Sequence, residues 1–149
     1  MEDLYKNTSV IRLNDHDFDL TEPVKVVNQD FKHKNGYIMF YAPWCPHCQN
    51  QVKFWTYLGD QFNTSKDYAK ENFKIGVVNT TDPETSQVVQ HLGVNGIPHF
   101  YHVIADKEGK GHLKDFQGMD HSPEALMQEA CKLTPSSHLC NSKKTKKSK

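Results

Sequence analysis

Apolar and polar positions along the chain switch between a strand-like and a helix-like period. Residues 10–13 alternate briefly and predict a short strand, followed by an acidic loop over residues 14–19. Over residues 22–34, Val26, Val27 and Phe31 recur at helical spacing behind Pro23, so a helix is predicted there. Residues 37–41 are an unbroken apolar run, the mark of a strand buried on both faces. Helix is predicted again from Cys45 to about Asn63, and residues 74–78 read as a second buried strand. Asp82 with Pro83 opens a capped helix that Gly93 ends. Residues 99–105 and 111–116 read as strands joined by the turn-like Asp106-Lys107-Glu108-Gly109, and Ser122-Pro123-Glu124 opens a last helix to about Leu133. Strands linked through helices imply parallel pairing, and the short turn implies a hairpin. The expected class is α/β.

Candidate chemistry sits where the strand at 37–41 gives way to helix. Cys45 and Cys48 lie three apart, on one helical face, so their sulfurs can meet. The first backbone N–H groups of that helix are unpaired and point toward the end that carries Cys45. A thiolate there is stabilised, whereas Cys48, one turn inside, gains much less. Pro46 suits the first helical position, because its ring fixes φ and its missing N–H would have gone unpaired. The cation of His47 favours a neighbouring thiolate. A helix terminus contributes about 0.3–2 kcal/mol to a charge, which is about one pKa unit. Reactive cysteines in such motifs have pKa values of about 3.5 to 7.5, and Cys45 is expected in that range. One reactive and one resolving thiol is what thiol–disulfide exchange requires.

Two other uses of the pair are weaker. A zinc site needs a second ligand pair at suitable spacing. The remaining cysteines, Cys131 and Cys140, stand near the tail, and the 9 histidines are scattered. No metal is expected. A bridge between residues three apart closes too short a loop to stabilise a fold much.

The stretch from about residue 10 to residue 133 resembles the thioredoxin superfamily, and within it a protein disulfide isomerase type catalytic domain. The matching pieces are Phe40-Tyr41-Ala42-Pro43-Trp44-Cys45, Gly93-Val94-Asn95-Gly96-Ile97-Pro98 and Phe116-Gln117-Gly118, in the family's order. The resemblance implies a thioredoxin fold, with a central mixed β-sheet flanked by helices on both faces. It also implies that Pro98 follows a cis bond opposite the cysteines, and that the Ile97 backbone pairs with an extended substrate chain. Trp44 then reads as part of the substrate surface as well as a hydrophobic cover. His99 is expected to pack in its strand rather than face the site. The Pro46-His47 dipeptide resembles that of bacterial periplasmic disulfide oxidases; isomerases carry Gly-His there and reducing thioredoxins Gly-Pro.

Three positions depart from the family's pattern. The buried acid six residues before the first cysteine is replaced by Met39, and the lysine that pairs with it in isomerases by Val77. Losing both charges together avoids burying one alone. The proton of Cys48 is then expected to leave to water, His47 or substrate, with slow release of mixed disulfides. The helix proline five residues after the second cysteine is Lys53 here, so a straighter helix is expected.

Composition narrows the remaining possibilities. The 149 residues suffice for one core, and a formal net charge of zero gives no support for steering toward nucleic acid. No run approaches the roughly 18 apolar residues of a membrane span, and residues 1–7 lack the apolar core of a secretory signal. Of 18 basic residues one, Arg12, is arginine. That bias points to an AT-rich genome, such as a protist's or a large DNA virus's. With the unsignalled start it gives an expectation of a cytoplasmic location, or of a virion or viral factory. Residues 1–9 are expected as an N-terminal extension, 10–134 as the domain, and 135–149 as a basic disordered tail. Cys131 reads by default as a core cysteine, with a bridge to Cys140, or a chain-to-chain link through Cys140, as alternatives.

The function expected is disulfide exchange with thiol- or disulfide-containing protein substrates, without a bound cofactor, and with a redox partner that recycles the pair. Oxidase or isomerase action is favoured by Pro46-His47, and reduction by the unsignalled location. A client-binding module without turnover, or a structural protein of a virion, would use the same fold.

Overall fold

A computed structural model describes residues 3–66, 72–116 and 122–133. Seven strands form one sheet: β1 (Ile11–Arg12), β2 (Phe18–Asp19), β3 (Lys25–Val26), β4 (Asn35–Tyr41), β5 (Phe73–Asn79), β6 (His99–Ala105) and β7 (Gly111–Asp115), in the spatial order β1-β5-β4-β6-β7-β3-β2. β1 and β4 run parallel to β5, while β6, β7, β3 and β2 continue antiparallel from β4. The expected parallel crossovers and the hairpin at residues 106–109 are both present.

β4 is central, and every residue from Gly36 to Tyr41 is buried. Its side chains divide by parity, as a pleated strand requires. Tyr37, Met39 and Tyr41 enter one core with Trp55, Leu58 and Phe62 of α1 (Pro46–Phe62) and Leu126 and Ala130 of α3 (Pro123–Leu133). Ile38 and Phe40 enter the opposite core with Val88 of α2 (Ser86–Leu92) and Phe31. The polar atoms carried inward by the large rings are used: Trp55 Nε1 donates to the Gly76 carbonyl at 3.1 Å, and the Tyr37 hydroxyl donates to the Leu126 carbonyl at 2.5 Å. Each of these bonds ties α1 or α3 to the sheet.

Helix ends follow the sequence signals. Asp82 caps a short 3₁₀ turn (Pro83–Thr85), and α2 stops at Gly93, which takes a left-handed φ of 66° that other residues rarely adopt. The α2 start is held from a distance: the Asp15 carboxylate accepts the backbone N–H of Val88 at 2.8 Å and of Gln87 at 3.2 Å. So the acidic loop is more than a loop. It contains a capped 3₁₀ turn (Asp15–Asp17) and strand β2.

The helix expected over residues 22–34 is absent. Val24 and Val26 are buried while Val27 is 39% exposed, so burial there has the period of a strand. Pairing of Val26 with Gly111 and Phe18 outweighs a weak helical spacing, and the stretch forms β3 and a 3₁₀ turn (Gln29–Phe31). The Glu22–Pro23 bond is cis. Residues 3–9, expected as an extension, pack on the body: Tyr5 is wholly buried, and Asn63 at the end of α1 donates to the Ser9 carbonyl at 2.8 Å. The basic tail, Gln117-Gly118 and Cys140 lie outside the described residues.

Gly36 is where the sheet comes closest to a backbone neighbour, since a Cβ there would stand 2.1 Å from the Lys74 carbonyl oxygen. Gly36→Ala should lower stability by at least about 2 kcal/mol in urea titrations. Gly96→Ala, where a Cβ meets nothing within 4 Å, should change it by less than about 0.5 kcal/mol. Equal effects would show that β4 is not held as tightly as this packing implies.

Candidate active site

The site is built by the turn from β4 into α1. After Tyr41 the chain passes through buried Ala42 and Pro43, and the Cys45 N–H donates to the Ala42 carbonyl at 3.1 Å. That bond bends the chain so that Cys45 becomes the N-cap of α1, with φ −81° and ψ 120°, and Pro46 enters at the start of the helix. The Cys45 carbonyl accepts the Gln49 N–H at 2.9 Å, and the Gln49 side chain returns to the Pro43 carbonyl at 2.8 Å, closing the turn from both sides. The Cys45 side chain makes no capping bond. The helix's unpaired N–H groups therefore act on whatever charge Cys45 carries.

Both cysteines are free thiols, and their surroundings differ. Cys45 is 5% exposed and Cys48 is wholly buried, behind it in the core. Burial pushes the Cys48 thiol up to about 12; a backbone hydrogen bond at Ala42 opposes the rise, and the hydrogen bond and charge of Cys45 add to it. Cys48 is thus a neutral thiol at physiological pH. His47 and Pro46 are exposed, and Trp44 is 58% exposed beside the cysteine.

Across from the helix start lies the turn into β6. The Ile97–Pro98 bond is cis, and the Ile97 carbonyl oxygen is 4.0 Å from Cys45 Sγ. Ile97 and Pro98 are half-buried, so Trp44, Ile97 and Pro98 make an apolar rim around the outer thiol. His99 does not reach into it. Its Nε2 pairs with the Asp115 carboxylate at 2.9 Å and its ring stacks on Tyr101, which matches the packing expected of it.

Under the site the two departures from the family's pattern meet. Met39 and Val77 are register partners on β4 and β5, with 0% and 1% exposure. An apolar pair fills the place of an ion pair, and no charge is left alone there. Lys53 is an exposed residue of α1, which runs 17 residues without interruption.

Asp3 and Tyr5 carry contacts at this end of β4 that the sequence does not signal. Tyr41 is buried as expected of a core residue, but its hydroxyl donates to the Asp3 carboxylate, and Tyr5 packs edge-on to its ring with centroids 5.1 Å apart. Asp3 and Tyr5 lie in a stretch with no motif, and nothing local in the sequence marks them. Cys131 also differs from its default reading: it is half-exposed and disulfide-bonded rather than a free core thiol, while Cys140 lies outside the described residues. Among the described residues no group of histidine, cysteine and carboxylate side chains is arranged to hold a metal ion, and no helix is long and apolar enough to cross a membrane.

Residues 9–131 match the sequence model of the Thioredoxin family, and the chain belongs to that family. Curated relatives include a thioredoxin domain-containing protein 5 homolog of Drosophila melanogaster, 40% identical over 42% of this chain and 14% of its own length. Protein disulfide-isomerase A5 of Bos taurus is 28% identical over 65% of this chain and 16% of its own, and protein disulfide-isomerase of Gallus gallus is 36% identical over 47% and 14%. The chain therefore spans less than a fifth of the length of these three relatives. Among solved structures, the Trx4 domain of ERdj5 superposes with a TM-score of 0.56 at 14% identity, covering 81% of this chain and 91% of that one. The first thioredoxin domain of mouse protein disulfide-isomerase A4 gives 0.54 at 18% identity, over 90% and 79%. These likenesses give the thioredoxin fold, with a disulfide isomerase-like family setting for the cysteine pair.

The difference between the thiols has a pH signature. Folding raises the Cys48 pKa from an ordinary 9.0 to about 12. Folded protein then holds a proton that the unfolded chain has released. This contribution to the stability of the reduced form is complete below about pH 8.5 and is lost as pH rises through about 12. At pH 8, limited iodoacetamide should label Cys45 well before Cys48 in peptide maps. Equal labelling of the two would remove the asymmetry.

Proposed function

We propose that this chain exchanges disulfides with protein substrates, with Cys45 as the first thiol to react and Cys48 as the one that resolves the mixed disulfide. The observation that supports this most strongly is the arrangement of one thiol at an apolar rim, 4.0 Å from the Ile97 carbonyl, and the other buried one helical turn behind it. A substrate strand lying along Ile97 and Pro98 brings its sulfur to Cys45, and backbone pairing there accepts many sequences. Trp44 gives that strand an aromatic surface to rest on.

The steps balance without a cofactor. The Cys45 thiolate attacks a substrate disulfide, a new S–S bond forms, and one substrate sulfur leaves with the electron pair and takes up a proton. Cys48 then attacks Cys45 Sγ, its proton passing to the second substrate sulfur as that leaves. The reverse sequence donates the Cys45–Cys48 disulfide to a substrate dithiol. Pro46 and His47 modulate the exposed side of the pair, and a cationic His47 favours the thiolate form. Oxidation or isomerisation is the direction proposed, because the Pro-His dipeptide resembles that of disulfide-donating members of the family. A recycling partner must then restore the disulfide.

The direction is tested by the reduction potential of the pair in glutathione buffers, with Cys131 and Cys140 replaced by serine. A donor should lie above about −200 mV, whereas a value near thioredoxin's, about −270 mV, would make the chain a reductase. The chemistry is tested by trapping. Cys48→Ser should accumulate covalent mixed disulfides with client proteins, and Cys45→Ser should form none through this site. Client capture that ignores both substitutions would identify a binding module without turnover.

A further inference from the structure

The slot beside the outer thiol has two walls, built by different elements. Cys45 stands at the start of α1, located through β4, while the Ile97 carbonyl 4.0 Å from its sulfur belongs to the loop between α2 and β6. That loop is thinly packed. Gly93, Asn95 and Gly96 are exposed, and a Cβ added at Gly93 or Gly96 would meet nothing within 4 Å. An exposed loop with few neighbours opens more readily than the sheet it joins. The distance between Ile97 and Cys45 then depends on what anchors the loop where it enters β6.

That anchor is His99, the residue next to Pro98. Its backbone opens the β6 ladder opposite Phe40, and its side chain, 14% exposed, is held twice more. Nε2 lies 2.9 Å from the carboxylate of Asp115, the last residue of β7. The imidazole stacks on Tyr101 with centroids 4.8 Å and planes 22° apart, and Tyr101 packs edge-on against Phe40 at 5.5 Å. Asp115 and Tyr101 are register partners, so these groups share one face of the sheet, away from the core that holds Met39, Tyr41 and Cys48. One run of contacts thus connects both walls. Pro98 leads to His99 along the chain, His99 to Tyr101 and Phe40 through their rings, and Phe40 to Cys45 through the end of β4.

We propose that His99, braced by Asp115, is a positioning residue that holds the Ile97 carbonyl in place against Cys45, and so sets how well the chain accepts an extended polypeptide at its disulfide. A polypeptide strand uses the Ile97 backbone as a pairing edge. A small disulfide needs only the Cys45 sulfur. The contribution of the His99–Asp115 pair therefore falls on the binding of peptide substrates and leaves the reactivity of the thiols alone. Asp115 is 54% exposed and His99 faces away from the cysteines, so the pair can be altered without opening the core around them.

This inference rests on the exchange function proposed above, and two probes separate the two. The reduced full chain is mixed with hydroxyethyl disulfide, which has no peptide backbone, or with a linear peptide of one cysteine supplied as its disulfide-linked dimer. With either probe, Cys45 takes one sulfur into a mixed disulfide and the other leaves as a thiol. Cys48 then releases the first sulfur, so the chain's two thiols end as a disulfide and the probe's disulfide as two thiols. His99→Phe keeps a flat ring on Tyr101 and loses the bond to Asp115. It should raise the peptide concentration for half-maximal rate about fivefold, with the maximal rate and the hydroxyethyl disulfide rate within about twofold of the parent's. Asp115→Ala should do the same, and the double variant should be no worse than either single one. His99→Gln, whose amide reaches as far as Nε2, should recover most of the peptide binding. An unchanged half-maximal concentration in His99→Phe, additive losses in the double variant, or an equal loss with both probes overturns the proposal. Failure of the parent to form a mixed disulfide with either probe overturns the exchange reading, and this one with it.

Discussion

The rest of the molecule depends on β4 being buried on both faces. A strand paired with β5 on one side and β6 on the other, and covered above and below, leaves no backbone group for water and no room for slippage. A slip of one residue would exchange Tyr37, Met39 and Tyr41 for Ile38 and Phe40 between the two cores. With that register fixed, the place where the chain leaves the sheet is fixed too. The Cys45 N–H bond to the Ala42 carbonyl converts a sheet position into a helix start. The reactive end of α1 is therefore located by packing of residues that take no part in the chemistry.

The same burial separates the two cysteines. One turn of helix carries the chain from a rim beside Ile97 to the interior beside Met39. The helix terminus acts strongly within its first turn and weakly beyond it. Desolvation acts in the opposite order, so the two effects reinforce the asymmetry instead of cancelling. For Cys48 burial is the larger effect and keeps the thiol neutral. Met39 and Val77 belong to the same apolar cluster as Cys48, and an apolar pair is what the core tolerates most readily, because one unpaired charge in that position would be costly.

Much of this was legible in the sequence because it depends on local signals. The apolar run at 37–41, the Asp82-Pro83 start and Gly93 stop, and the cysteine spacing each reflect constraints within a few residues, and each element stands where those signals put it. The segment at 22–34 was misread for the converse reason. Its three apolar residues fit a helix in isolation, and β3 exists because Val26 pairs with Gly111, distant in sequence, as well as with nearby Phe18. The site divides the same way. Cys45, Pro46, His47 and Cys48 are consecutive and visible, and the cis bond before Pro98 follows from the resemblance. Asp3 and Tyr5 carry no pattern, and their closeness to Tyr41 is a product of the finished fold.

That division bears on how equilibrium and rate are set. On the exchange reading, the reduction potential compares reduced and oxidised forms, so it responds to whatever stabilises charge at the outer thiol, Cys45: the helix start, Pro46 and His47. The rate of resolution depends on ionising a thiol in the interior, and so on the residues around Cys48. The first group is contiguous in sequence and open to solvent, where a substitution disturbs little else. The second is assembled from β4, β5, α1 and the N-terminal stretch, where a change must also satisfy packing. A chain of this construction can shift its direction of disulfide transfer through the dipeptide while its speed stays tied to the core. On that reading Met39 and Val77, in the cluster around Cys48, bear on rate, and they leave no charge alone in the core.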